Sequence, residues 1–133
     1  EKFNEYLSHT IQWVYATKAE VPELLSAADF AICGIRNISS RKYSSPIKNG
    51  EYWACGLPII IPKGISDDYI FAEENEIGIV LNDTSKNSMQ QALAKLEKWL
   101  NEKDSDEVRL KCSAFACEDR SIIKYQELYA SLF

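Results

Sequence analysis

Residues 57–62 read Leu-Pro-Ile-Ile-Ile-Pro, a continuous apolar run punctuated by prolines. A strand with one wet face alternates apolar and polar residues, whereas a run without alternation is what a strand covered on both faces requires, and parallel sheets bury their strands in this way. Parallel neighbours cannot be joined by a tight turn, so such a run calls for a helix on either side of it in sequence. The residues before it supply one with both ends marked. Ser45 suits the cap, Pro46 the first helical position and Gly56 a left-handed C-terminal turn, while Pro58 bars continuation, which predicts a short helix over 46–55.

The same alternation extends along the chain. Helical spacing of Phe3, Tyr6 and Leu7 is followed by the β-prone run Ile11, Trp13, Val14 and Tyr15; helical spacing through Val21, Leu24, Leu25 and Ala28 is followed by the apolar residues 30–34. After the central strand, a turn over 64–68 leads into a helix carrying Tyr69, Ile70, Phe71 and Ala72, and then a strand over 77–81. A long amphipathic helix over 85–102 presents Met89, Ala92, Leu93, Leu96, Trp99 and Leu100 on one face, and helical stretches follow over 105–117 and 121–132. No repeat, linker or low-complexity stretch interrupts the pattern. The expectation is one α/β domain over 1–133, a doubly wound parallel sheet with four strands in view and a helical C-terminal segment from about 105.

The 133 residues, 46% of them hydrophobic, suffice for one core, and no apolar run reaches the roughly 20 residues of a membrane helix. A net charge of -5 argues against nonspecific binding to nucleic acid, which clustered cations mediate, although a nucleotide needs only a few local ones. Cys33, Cys55, Cys112 and Cys117 lack zinc-type spacing, and the sole histidine, His9, is remote in sequence; reduced thiols and a cytoplasmic setting are expected.

On the central helix, Lys48 falls in the first turn, where the macrodipole disfavours a cation, unless an anion binds there. Glu51 lies three residues on, so one face offers amides, an ammonium and a carboxylate, an order that suits a phosphate followed by a diol. The same two residues also read as an ordinary solvated pair. Gly50, unfavourable inside a helix, calls for close approach of another backbone or a ligand. The polar loop before this helix holds Arg36, Asn37, Ser39, Ser40, Arg41, Lys42 and Ser44, between a strand's carboxyl end and a helix amino end, where open α/β sheets place ligands. Asp67 and Asp68 read as helix-start acids rather than metal ligands, and Asp29 as a corner residue.

The motif Ser45-Pro46-Ile47-Lys48-x-x-Glu51-Tyr52-x-Ala54-Cys55-Gly56-Leu57-Pro58 with Ile59-Ile60-Ile61 resembles the donor-binding domain of GT-B nucleotide-sugar glycosyltransferases, most closely the retaining group called glycosyl transferases group 1. Residues 21–32 and 75–81 agree in order and spacing, so the resemblance covers about 11–83. It implies a Rossmann-like half of a GT-B enzyme, truncated on its N-terminal side, with the acceptor-binding domain expected upstream in the same protein. By that resemblance Glu51 accepts the ribose hydroxyls; Lys48 and the backbone of Ser45, Pro46 and Ile47 face the diphosphate; and Ala16, Thr17 and Lys18 border the base. Relatives often carry a glutamate eight positions before the ribose-binding one, where this chain has Tyr43, which shifts sugar recognition towards Ser44, Ser45 or Arg36. The implied reaction is transfer of a hexose from a nucleotide diphosphate sugar to an acceptor hydroxyl with retention of configuration, without a metal or other cofactor, and with no catalytic residue assigned. Peripheral membrane contact through the upstream domain is compatible with it. Alternatives are a noncatalytic nucleotide-binding or protein-interaction domain of the same fold, or a nucleotide-sugar epimerase.

Overall fold

The computed structural model describes residues 11–36, 38–44, 46–102 and 104–132. The helix expected near the N-terminus and the cap expected at Ser45 lie outside the described residues. In chain order the elements are α1 (Val21–Ser26), β1 (Ala31–Ile32), a 3₁₀ helix (Ser39–Tyr43), α2 (Ile47–Ala54), β2 (Ile59–Pro62), α3 (Asp68–Glu74), β3 (Gly78–Leu81), α4 (Lys86–Glu102), α5 (Ser105–Phe115) and α6 (Glu118–Ala130).

The strands form one parallel sheet in the order β1-β2-β3, with Ala31 opposite Ile59 and Ile59 opposite Gly78. Every residue of β2 is buried, as the unbroken apolar run requires of a central strand. On one face Ile59, Ile61 and Ile77 pack with Trp53 of α2, Ala72 of α3, and Val108 and Cys112 of α5; on the other, Ile60, Ile79 and Leu81 pack with Ala92 of α4. Helices thus cover both faces of the sheet, an α/β arrangement compatible with double winding. The reversal of strand order that defines a doubly wound sheet needs strands beyond β1, and the described sheet has three.

The expected strand at Ile11, Trp13, Val14 and Tyr15 is a correction: these residues form no ladder, and Trp13 and Tyr15 are 89% and 100% exposed. β propensity expresses packing against neighbouring strands, and among the described residues this segment has no strand beside it. β1 is two residues long, with Ile32 66% exposed at the edge of the described sheet.

The central helix begins one residue later than expected, with Pro46 extended at the cap position and no side-chain cap among the described residues. Its C-terminus follows the expectation. Gly56 has φ +72°, its N–H donates to the Trp53 carbonyl at 2.9 Å, and the Leu57 N–H donates to the Tyr52 carbonyl at 2.8 Å. This pair of bonds is a Schellman closure, which turns the chain directly into β2. Trp53 adds a bond from Nε1 to the Ile77 carbonyl at 3.2 Å, tying α2 to the edge of β3. In α6 the side chains of Ile122, Tyr125, Leu128 and Tyr129 are exposed. No helix among the described residues is long and apolar enough to cross a membrane.

Candidate functional site

Parallel strands bring their carboxyl ends to one rim of the sheet, and the loops after β1 and β2 meet there. The Arg41 carbonyl accepts three hydrogen bonds, from the Ser44 N–H at 3.2 Å, the Ser44 Oγ at 2.8 Å and the Ser66 N–H at 3.2 Å. One carbonyl therefore clasps the 3₁₀ segment to the turn before α3, where Ser66 adopts a left-handed φ of 46°.

Two adjoining depressions open on this rim. The larger, about 560 Å³, runs along the 47/50/51/54 face of α2 and is closed by Pro46, Phe115, Ala116 and Cys117. The second, about 430 Å³, is lined by Lys42, Tyr43, Ser44, Ser66 and Asp67. Asp68 and Phe71 line both, so the two share a wall. Each is within the roughly 300–1,000 Å³ usual for small-molecule sites. A further cavity of about 60 Å³ lies at the opposite end of the sheet, beside Asp29, Phe30 and Pro58, and is too small for a nucleotide.

Of the residues singled out in the sequence, Pro46, Ile47 and Glu51 line the larger depression and Ser44 the smaller. Lys48 Nζ stands 3.2 Å from Glu51 Oε2, both side chains being largely exposed. Such a pair contributes only a few tenths of a kcal/mol, and with the lysine leading and at the positive end of the helix it is oriented against the dipole. Arg36 is exposed on the loop after β1 and lines neither depression. Ala16, Thr17 and Lys18 also line neither; the Thr17 N–H and Oγ1 both donate to Glu20 Oε2 at 2.7 Å, so that main-chain donor is already engaged. Those bonds hold the Glu20 carboxyl below its ordinary range.

The loop from β1 into α2 is cationic, whereas the depressions themselves are lined by Glu51, Asp67 and Asp68 with Lys42. From Phe30 to Gly50 the chain carries Arg36, Arg41, Lys42 and Lys48 and no acid, within a chain of net charge -5.

Sequence reasoning missed the support beneath α2. Asn49 is fully buried, and its Nδ2 donates to Asp68 Oδ2 at 2.8 Å, joining the first turns of α2 and α3. Asn49 Oδ1 is buried without a partner among the described residues. Cys33, just past β1, borders this group: burial pushes its thiol up, while hydrogen bonds from Ile35 and Asn49 pull the other way. Asparagine is a poor helix former, and one placed in the helix beside Gly50 was the available signal. Asp67 differs from its expected role, since as the cap residue of α3 it makes no capping bond with its side chain.

The family model of the glucosyltransferase 3-like C-terminal domain matches residues 26–115, about two thirds of the chain. That span contains all three strands, both depressions apart from their last two lining residues, and the cationic stretch. No curated protein and no solved structure matches the chain. The chain belongs to the family of glucosyltransferase 3-like C-terminal domains.

Proposed function

We propose that this domain binds the donor of a GT-B glycosyltransferase, which moves a hexose from a nucleotide diphosphate sugar to an acceptor hydroxyl with retention of configuration. The observation that carries the reading is the acid-free cationic stretch from Arg36 to Lys48, which follows the carboxyl end of β1 and leads into the amino end of α2. In open α/β sheets that is the place for a ligand, and helix amides with nearby cations favour an anionic one.

Lys48 and the first amides of α2 face the diphosphate in this reading, and Glu51, one turn deeper, accepts hydrogen bonds from the ribose diol through its two carboxylate oxygens. Negative charge grows on the departing diphosphate as the glycosidic bond breaks, so fixed amides and cations directed there lower the barrier. The acceptor is held by another part of the same protein, and the side chains of this domain bind and orient the donor. The setting is cytoplasmic, where nucleotide sugars serve as substrates.

The test is calorimetric titration of the full-length protein with UDP, GDP and ADP. Micromolar binding of one diphosphate is expected, with Glu51→Ala weakening it about tenfold, the scale of charge-assisted hydrogen bonds to a diol. Unchanged affinity in that variant removes Glu51 from the site, and absence of binding to all three nucleotides overturns the donor reading.

A further inference from the structure

We propose that the hydrogen bond from Asn49 to Asp68 is the positioning element of the donor site, an inference that rests on the nucleotide-sugar reading above. The segment from Arg41 to Asn49 carries Lys42, Lys48 and the first amides of α2. Both of its ends are tied to one short turn, 66–68. At the first end the Ser66 N–H donates to the Arg41 carbonyl at 3.2 Å; at the second, Asn49 Nδ2 donates to Asp68 Oδ2 at 2.8 Å. Within the turn the Asp68 N–H donates to Ser66 Oγ at 3.0 Å, which links the two ties into one bracket.

This bracket is made of residues that stability alone would not select. Asn49 is fully buried, and its Oδ1, with no partner among the described residues, is a desolvated acceptor whose cost is comparable to what the bond at Nδ2 contributes. Ser66 holds a left-handed φ of 46°, a conformation that a residue with a Cβ adopts at a cost. Local rules broken at one place in a fold, with no gain in packing, mark a place where geometry serves the ligand.

The Asn49 side chain lines neither depression, so it acts on the ligand through placement. It fixes the amino end of α2 against α3, and with it the spacing of Ile47 and Glu51 from Asp68 and Phe71 across the larger depression. Its amide also reaches the Cys33 thiol just past β1, so the end of β1 meets both helices at one side chain. Without the tie, the ligand must itself order the first turn of α2, and that ordering is subtracted from affinity.

The experiment titrates the full-length protein and its variants with UDP, GDP and ADP, and records a thermal melt of each. Asp68→Asn and Asp68→Ala both remove the carboxylate charge, but asparagine keeps an oxygen that accepts from Asn49 Nδ2 and alanine does not. The diphosphate that binds the parent should bind Asp68→Asn at least as tightly, and Asp68→Ala about fivefold to tenfold more weakly, the scale of one hydrogen bond to a buried donor. Asn49→Leu should lose affinity by a similar factor while melting close to the parent, because removal of the unsatisfied acceptor offsets the lost bond. Lower melting temperatures with parental affinity in the folded variants are the mark of a purely structural pair and overturn the proposal. Equal weakening in Asp68→Asn and Asp68→Ala also overturns it, since the charge and not the bond is then what the ligand senses. Asp68 is only half-buried, so its two variants decide the matter even where Asn49→Leu fails to fold. Either result leaves the donor site standing, whereas absence of all nucleotide binding in the parent overturns both.

Discussion

Gly50→Ala separates stability from binding at one atom. Gly50 sits inside α2, and a Cβ built there meets nothing within 4 Å. The close backbone approach that would justify a helical glycine is therefore absent among the described residues. Alanine in place of glycine in a helix interior is worth about 0.8–1 kcal/mol, and open space means no steric term subtracts from it. For a domain of 133 residues that corresponds to a rise in Tm of about 3–5 °C. Urea unfolding should show a higher midpoint with an unchanged slope. No stabilisation, or a loss, would mean that some atom does approach Gly50 and that the groove is shaped differently from this structure. The second half of the prediction concerns the ligand. The new methyl would project from the floor of the depression beside Glu51, so nucleotide affinity should fall about fivefold or more while stability rises. A variant that is more stable and binds nucleotide as tightly as the parent would show that the glycine is not reserved for the ligand.

The remaining predictions concern the core. Gly78→Ala should destabilise by about 2–3 kcal/mol, since its Cβ would lie 2.5 Å from the Ile59 carbonyl oxygen and 2.9 Å from Ala72 Cβ, and a carbonyl in the ladder cannot move aside cheaply; a loss below about 0.5 kcal/mol in urea unfolding would refute the close packing of α3 on β3. Burial pushes the Cys112 thiol from its ordinary 9.0 up to about 11, so its neutral form belongs to the fold. Its contribution is complete below pH 9 and is lost as the pH rises towards 11, because the unfolded chain releases a proton that the folded chain retains. The decline in urea midpoint between pH 8 and pH 10 should accordingly be shallower in Cys112→Ala, and equal slopes would contradict it.

The elements legible in the sequence are those whose cause is local or whose pattern is long. The apolar run that became β2, the long helix Lys86–Glu102 and the glycine that closes α2 each carry their reason within a few residues. Elements that depend on distant neighbours were less legible. The run at Ile11 to Tyr15 has the composition of a strand, but a strand exists only with a ladder partner. Of the strand expected over 30–34, only Ala31–Ile32 is strand, although the Cys33 N–H still donates to the Ile60 carbonyl at 2.9 Å.

The site divides along the same line. Lys48 and Glu51 are one helical turn apart, so their shared face followed from spacing alone. Tyr43 and Asp67 belong to different loops, and their meeting depends on β1 lying directly beside β2, with Ala31 opposite Ile59, which brings the loops after the two strands to the same rim. Asp67 was read as a cap because acids at helix starts ordinarily serve there, and no local feature distinguishes it from Asp68. The distinction comes from Asn49, which reaches Asp68 across a 19-residue separation and engages that carboxylate, while the neighbouring one makes no bond among the described residues. A buried asparagine that helps anchor one turn of the fold thus determines which of two adjacent acids faces the depression with its hydrogen-bonding capacity intact. Chemistry at this rim is consequently a property of tertiary pairing, and the residues that specify it need not touch the ligand.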